Sequence, residues 1–301
     1  MSEMPQTRCG YVGLLGRPNV GKSTLMNHVL KQKISITSRR PQTTRTNVLG
    51  IDTQDNNQAI YVDTPGIHRR TDRVLNAYMV NNATTASRDV DVSVMVVEGT
   101  RWTSEDEHVV RLLQKNKGDN TRCLAVINKA DLVKDKDTLL PVIQQLAEYE
   151  LFDEIVPLSA LRNEGIERFR EVVFRHLPEG PHMFSADDIT DQTERQLVEE
   201  IVREKLMRQL GDEIPHSAVV RIEKFTNGDP VTEIFADIYV ERSSQKSIVI
   251  GKQGKRLKLI GSEARKDAEE LLQRPIMLHL WVKVRKGWTN DPKLMQRLGY
   301  E

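Results

Sequence analysis

The chain has 301 residues, 38% of them hydrophobic and 29% charged, with a formal net charge of +1. That length favours two domains over one core, and that balance excludes both a disordered chain and a membrane-embedded one. No apolar run approaches the roughly 18 residues of a membrane span, and the first ten residues lack the apolar centre of a signal peptide.

In chain order, strands are predicted at 11–15, 47–53, 58–63, 91–97, 122–127 and 154–158, with helices at 22–31, 73–87, 104–116, 137–149 and 165–177. Such alternation predicts an α/β fold, a mostly parallel sheet with helices on both faces. The polar stretch TQDNNQ, 53–58, joins two neighbouring strands and predicts one antiparallel edge. Cys9 and Cys123 stand in apolar or pre-strand settings and read as free thiols of a reducing compartment, hence a cytoplasmic protein.

The stretch PEGPHMFSADDITDQ, 178–192, has no periodicity and reads as a linker. Beyond it the order of elements changes to α+β. A helix over 193–210 carries Val198, Ile201, Val202 and Leu206 on one face, followed by strands at 217–226 and 232–242. A glycine-marked helical region, 247–273, and a strand over 276–285 complete it. The expected organisation is a first domain over 1–178, a linker over 179–192 and a second domain over 193–301.

Charge is uneven along the chain. Between 242 and 288, twelve Lys and Arg stand against four acids, Glu263, Asp267, Glu269 and Glu270. The overall neutrality conceals a basic C-terminal third.

The first strand runs into GRPNVGKST: Gly16, Arg17, Pro18, Asn19, Val20, Gly21, Lys22, Ser23 and Thr24. A G-x-x-x-x-G-K-S loop between strand and helix wraps backbone N–H groups around a diphosphate, and the helix start adds its dipole. Lys22 is placed to reach the β- and γ-phosphates, and the Ser23 hydroxyl to bind Mg²⁺. The strand ending at 63 delivers Asp63, Thr64, Pro65 and Gly66. Asp63 is placed to hold the metal through water, and the Gly66 N–H to sense the γ-phosphate.

Asn128, Lys129 and Asp131, in NKAD, follow the apolar strand 123–127. The Asp131 carboxylate can accept from the N1 and N2 groups of guanine, while Asn128 orients the loop and approaches the base edge. Adenine lacks both donors, and a site built for donors rejects the analogue without them. Ser159, Ala160 and Leu161 follow another strand and are placed to offer backbone N–H groups to the guanine oxygen. Four motifs in this order, each at a strand's carboxyl end, identify GTP as the nucleotide and GDP as its product.

On these motifs the first 178 residues resemble a translation-factor-class GTPase domain. The segment QTTRTNVLG, 42–50, is similar to the first switch of that class. The resemblance implies that Thr44 supplies a hydroxyl to Mg²⁺, with Thr43 as the alternative, so that Lys22, Thr44, Asp63 and Gly66 form the expected catalytic set. Asn19 resembles the phosphate-loop asparagine that holds K⁺ in related GTPases, the alternative being a loop-stabilising asparagine. After DTPG comes Ile67, where Ras-type GTPases carry a glutamine that orients the attacking water. A hydrocarbon cannot do this, so slow unaided hydrolysis is expected. His68 beside it reads as an exposed loop histidine with no catalytic part.

In the basic third, Ile250 closes an apolar run before Gly251, Lys252, Gln253 and Gly254, and Lys255, Arg256 and Lys258 open a helix. G-x-x-G with a basic residue inside lets the backbone approach a nucleic-acid phosphate closely. Leu257, Ile260, Ala264, Ala268 and Leu271 sit at helical spacing and are expected to be core. In the last strand Leu278, Leu280, Val282 and Val284 share one face, and His279, Trp281, Lys283 and Arg285 the other. Aromatic and basic side chains interleaved suit stacking and phosphate contact, the alternative being a solvated strand face.

This part looks like a KH domain of the type whose extra elements precede the signature, and the whole chain resembles the Era family of bacterial GTPases. That resemblance implies binding near the 3′ end of 16S rRNA and a role in assembly of the 30S subunit, by a monomer. Two other readings stand beside it: a regulator resting on an anionic inner-membrane surface through its basic third, and a non-cycling RNA-binding protein with GTP as a structural ligand. The glycine clamp favours RNA over lipid, and intact Lys22, Ser23 and Asp63 favour turnover.

Overall fold

A computed structural model describes residues 7–38, 43–67, 78, 83–85, 88–133, 135–210 and 218–297. They divide into two compact units, the first extending to Asp191 and the second from Gln192 onward, with Ile36, Thr37, Ser38 and Thr43 grouped with the second.

The first unit is built on six strands: β1 (Arg8–Leu15), β2 (Val48–Gln54), β3 (Asn57–Asp63), β4 (Val92–Glu98), β5 (Arg122–Asn128) and β6 (Glu154–Pro157). Their order in the sheet is β2-β3-β1-β4-β5-β6, all parallel except β2, which pairs antiparallel with β3. The two-residue turn at Asp55 and Asn56 makes that hairpin, with Asp55 at φ 51°. Strands β1, β4 and β5 are apolar almost throughout because helices cover both faces. Those helices are α1 (Lys22–Leu30), α2 (Ser104–Asn116), α3 (Leu140–Glu148) and α4 (Ile166–His176). The predicted helix over 73–87 falls largely outside the described residues, as does His68; Ala83, Thr84 and Thr85, which are described, are helical. Helix α3 starts later than its apolar pattern because Pro141 stands in its first turn, and a short 3₁₀ turn, Lys136–Leu139, precedes it.

Strand order reverses around β1, which lies between β3 and β4. In open parallel sheets that reversal opens a crevice at the carboxyl ends of the strands. Leu14 is in register with Asp63 and Glu98 with Asn128, so the phosphate loop, DTPG and NKAD leave the sheet at one edge.

The segment read as a linker is part of this unit's structure. The Ile51 N–H donates to the Ile189 carbonyl at 2.8 Å, and Thr190 Oγ1 to the Leu49 carbonyl at 2.7 Å. The buried Gln58 side chain accepts from the N–H groups of Met183 and Phe184 at 2.8 and 3.0 Å and donates to the Phe184 carbonyl at 2.9 Å. Helix α4 is fastened to β2 by Arg170, which donates to both Asp52 oxygens at 2.9 and 2.7 Å. Such a buried pair fixes placement more than it adds net stability. Cys9 and Cys123 are free and buried, and burial pushes both thiols up.

The second unit runs α5 (Glu194–Gln209), β7 (Val219–Thr226), β8 (Thr232–Val240), α6 (Ser243–Ile250), α7 (Lys255–Leu272) and β9 (Ile276–Val284). Its sheet is β7-β8-β9, with β7 antiparallel and β9 parallel to β8. Thr193 and Gln196 form a reciprocal cap at the start of α5. The core joins Val198, Ile201, Val202 and Leu206 to Ile234, Ile238, Ile260, Ala264 and Ala268, while Leu257 and Leu271 are only partly buried against it. The single helical region predicted at 247–273 is two helices, α6 and α7, separated by a 3₁₀ turn, Lys252–Gly254. The apolar run 248–250 is the end of α6, with Val249 buried and Ile248 43% exposed.

Candidate functional site

The phosphate loop leaves β1 at Gly16 and turns into α1 at Lys22. Gly21 caps that helix at φ 102°, and a Cβ there would stand 2.2 Å from the Asn128 amide nitrogen. Only glycine lets NKAD approach the loop so closely. Lys22 is 6% exposed, and its ammonium donates to the carbonyls of Gly16 and Arg17 at 3.0 and 3.2 Å. Burial pushes Lys22 down to about 8, against the pull of the Asp63 charge and with some help from Arg17. A phosphate arriving there meets a cation already stripped of water.

Asp63 is fully buried, and three hydroxyls converge on its Oδ2: Ser23 at 2.5 Å, Ser35 at 2.8 Å and Thr44 at 3.3 Å. Ser23 and Thr44 are 3.1 Å apart. Burial raises the Asp63 carboxyl, opposed by Lys22 and by these three hydrogen bonds. Its other oxygen, Oδ1, has no hydrogen-bond partner. An orphaned carboxylate oxygen costs about 1–3 kcal/mol or more, which a bound cation and its waters offset. Hard oxygen donors of this kind suit Mg²⁺. Among the described residues no three His, Cys, Asp or Glu gather, so such an ion depends on nucleotide phosphates for much of its shell. Of the two candidate threonines, Thr44 places its hydroxyl in this cluster. Ser35 was not expected; it lies 12 residues beyond Ser23, between Ile34 and Ile36 and outside the phosphate-binding motifs.

Gly66 passes so close to the phosphate loop that a Cβ would lie 2.7 Å from the Pro18 Cα. Thr64 Oγ1 donates to the Leu14 carbonyl at 2.7 Å, tying DTPG to β1. Ile67 donates its N–H to the Gly16 carbonyl at 3.1 Å and buries its side chain among Leu15, Met95, Val97 and Val109. It is therefore part of the core.

At the other end of the crevice, Asn128 joins three loops. Its Nδ2 donates to the Val20 carbonyl at 2.7 Å, and its Oδ1 accepts from Lys129 N at 2.7 Å and Ala160 N at 3.0 Å. Asp131 accepts from Ser159 Oγ at 2.6 Å and pairs with Arg162 Nε at 3.4 Å. Its carboxylate is held in place, 5% exposed, by groups a base can replace or join. The Ser159 N–H donates to the Glu164 carbonyl, and Leu161 is 76% exposed.

Arg17 turns its guanidinium away from the phosphate loop, donating to Asp106 at 3.2 and 3.1 Å and to Glu98 at 3.0 Å. Lys129 Nζ lies 3.3 Å from the same Glu98 oxygen. Burial works to raise the Glu98 carboxyl, but hydrogen bonds from Arg17 and Lys129 prevail and hold it below the usual carboxylate range.

In the second unit, Gly251, Gln253 and Gly254 take φ of 71, 52 and 74°, and Lys252 and Gln253 are exposed. A Cβ at Gly254 would meet nothing within 4 Å, so its glycine serves the left-handed backbone. Beside this turn α7 and β9 enclose a groove of about 460 Å³, lined by Gly254, Leu257, Lys258, Gly261, Ser262, Arg265, Leu278 and Leu280. Its floor is apolar and its walls carry Lys258 and Arg265. Gly261, in mid-helix, was the available signal for this surface, since glycine there costs about 1 kcal/mol against alanine.

The remaining predicted RNA contacts are more scattered. Arg256 Nη1 donates to the Ile248 carbonyl at 2.7 Å and joins the start of α7 to the end of α6. Ile250 packs on the core. Lys255 is exposed at the start of α7. Trp281 and Lys283 alternate with Leu278, Leu280 and Val282 and so face the opposite side of the sheet from the groove. There Trp281, 47% exposed, stacks on Phe235 at 5.7 Å and His279 at 5.9 Å, while Lys283 is ion-paired with Asp237. Arg285 follows the end of β9 and is exposed.

Known proteins share this arrangement. The family described as 50S ribosome-binding GTPase matches residues 11–129, and the KH domain family matches residues 213–289. GTPase Era of Ectopseudomonas mendocina (strain ymp) is 49% identical over 302 residues, covering 100% of this chain and 99% of its own. GTPase Era of Azotobacter vinelandii (strain DJ) is 50% identical over 300 residues, with 100% and 99% covered. A crystal structure of Era in complex with MgGDPNP and nucleotides 1506–1542 of 16S ribosomal RNA aligns at a TM-score of 0.92 and 38% identity, over 98% of this chain and 99% of that one. With about half of its residues shared along its full length, and with both the phosphate crevice and the glycine-turned groove in place, the chain belongs to the Era family of GTPases.

Proposed function

We propose that this protein binds GTP across the crevice from Gly16 to Leu161, hydrolyses it, and binds 16S rRNA near its 3′ end through the second unit to assist 30S assembly in the cytoplasm. The observation that carries the reading is the convergence of Lys22, Ser23, Thr44 and Asp63 at the carboxyl ends of β1 and β3. Mg²⁺, when bound by Ser23, Thr44 and, through water, Asp63, neutralises charge on the β- and γ-phosphate oxygens. Lys22 exchanges two backbone carbonyls for phosphate oxygens, and the Gly66 N–H faces the γ-phosphate. A water oxygen bonds to the γ-phosphorus as the bond to the β–γ bridging oxygen breaks, giving GDP and phosphate.

Ile67, at the position of the water-orienting glutamine, is buried and apolar and cannot take that role. Unaided turnover is slow, and a K⁺ held at Asn19 would supply positive charge at the phosphates. Exchanging K⁺ for Na⁺ at equal ionic strength should slow hydrolysis, and Asn19→Ala should abolish the difference. Equal rates in both salts would leave Asn19 as a loop-forming residue only.

RNA enters along the Gly251–Gly254 turn, where Lys252, Lys255 and Lys258 meet phosphates and the apolar floor receives bases. Trp281, Lys283 and Arg285 belong to a separate patch that a longer RNA reaches outside the groove. A lipid surface requires neither the glycine turn nor the groove, and no helix among the described residues is long and apolar enough to cross a membrane. The test is affinity for an oligonucleotide of the 16S rRNA 3′ end in the GTP-analogue, GDP and nucleotide-free forms. Tightest binding is expected with the analogue. A scrambled oligonucleotide that binds as well in every form would refute the rRNA address.

A further inference from the structure

Two loops that leave the sheet from different strands must hold one nucleotide, and a single carboxylate stands between them. Glu98 ends β4 in register with Asn128 at the end of β5. Its Oε2 accepts from Arg17 of the phosphate loop at 3.0 Å and lies 3.3 Å from Lys129 Nζ of the base-reading loop. Thr100 Oγ1 donates to its other oxygen at 3.2 Å. Arg17 is anchored a second time, on the fully buried Asp106, which the Thr103 N–H and hydroxyl hold at 2.9 and 2.7 Å. The chain of contacts therefore begins at the capped start of α2 and ends on Lys129.

The side chains of Arg17, Glu98 and Lys129 are 12, 18 and 30% exposed, so solvent screens these contacts far less than surface pairs. Without the carboxylate, Arg17 keeps Asp106 but Lys129 loses this ion pair, and the direct tie between the two loops falls to the hydrogen bond from Asn128 to the Val20 carbonyl. We propose that Glu98 is a positioning residue that sets the spacing between the phosphate-holding and base-reading loops, and so favours ligands that span both. This rests on the reading of 16–24 and 128–131 as the two ends of one nucleotide site. A ligand that engages both ends gains from preset spacing, whereas a ligand that engages one end does not.

The test is Glu98→Gln, which keeps the shape and removes the charge. Affinities are measured for GDP, for guanosine and for inorganic pyrophosphate, each with Mg²⁺, and thermal unfolding is followed in parallel. GDP affinity should fall about tenfold, while guanosine and pyrophosphate stay within about twofold. Parallel loss of all three ligands, or unchanged GDP affinity, would overturn the proposal. If the parent protein itself fails to bind GDP, the underlying site reading fails instead. Should Glu98→Gln fold poorly, Arg17→Lys serves, since an ammonium cannot span Glu98 and Asp106 together, and the same selective loss is expected in smaller degree. Arg17→Met and Lys129→Met should also be non-additive for GDP in the parent and additive in the Glu98→Gln background.

Discussion

Asp131→Asn should weaken GTP binding by at least about a hundredfold and raise affinity for xanthosine triphosphate. The carboxylate is 5% exposed and oriented by Ser159 and Arg162, so both oxygens have fixed directions. Guanine presents two N–H donors to them. An asparagine puts an amide NH₂ where one oxygen stood, and that donor meets the exocyclic amino group head-on. Xanthine carries a carbonyl at this position and restores the pairing. The backbone around 131 is kept by hydrogen bonds that do not involve the altered atom, among them Ala130 N to the Leu158 carbonyl at 3.1 Å. Competition of the two triphosphates against labelled GDP measures the exchange of preference. Unchanged GTP affinity would remove 128–131 from the base site.

The double substitution Lys252→Asp and Gln253→Asp should lower RNA affinity about a hundredfold and flatten its dependence on salt, because one cation is lost and two anions are gained where phosphates pass. Both side chains are exposed, so the fold should lose no more than about 0.5 kcal/mol. Gln253 sits at φ 52°, and aspartate tolerates the left-handed region better than most residues, so the turn itself is not strained further. RNA titrations at two salt concentrations, with GTP hydrolysis assayed without RNA, read the two units separately. If the variant binds RNA like the parent, the turn is no clamp and only the general basicity of this third remains.

Particular residues show where the sequence was legible. Asp63 and Asn128 could be placed because each ends an apolar strand, and Asp131 because it stands at a fixed motif spacing three residues after β5; the strand ends of one sheet necessarily meet. The groove was harder. Leu278 and Leu280 alternate as core residues do, and nothing in a period of two says that the helix opposite leaves them half covered at Gly261. Trp281 and Lys283 carry the more conspicuous chemistry and stand on the other face. The stretch 178–192 was opaque for a different reason. It is fixed by hydrogen bonds to β2, one from the Ile51 N–H and one from the Thr190 hydroxyl, and by the Gln58 amide, which leave no hydrophobic period to read. Glu98 was missed because a lone acid at a strand end has no motif; its meaning lies in Arg17 and Lys129, 81 and 31 residues away in sequence.

The pairing of Ile189 and Thr190 with β2 bears on how this sheet avoids sticking to its neighbours. A strand at a sheet margin offers unmet N–H and C=O groups to any extended chain that drifts past, and proteins guard such margins or aggregate. Here the guard is the protein's own polypeptide on its way to the second unit, taking the Leu49 carbonyl and the Ile51 N–H. A truncation placed at 178, where periodicity ends, would strip that cover and leave the Gln58 amide buried without partners from Met183 and Phe184. The connecting peptide thus doubles as a selvedge, and a soluble GTPase fragment needs to extend through Asp191 to keep it.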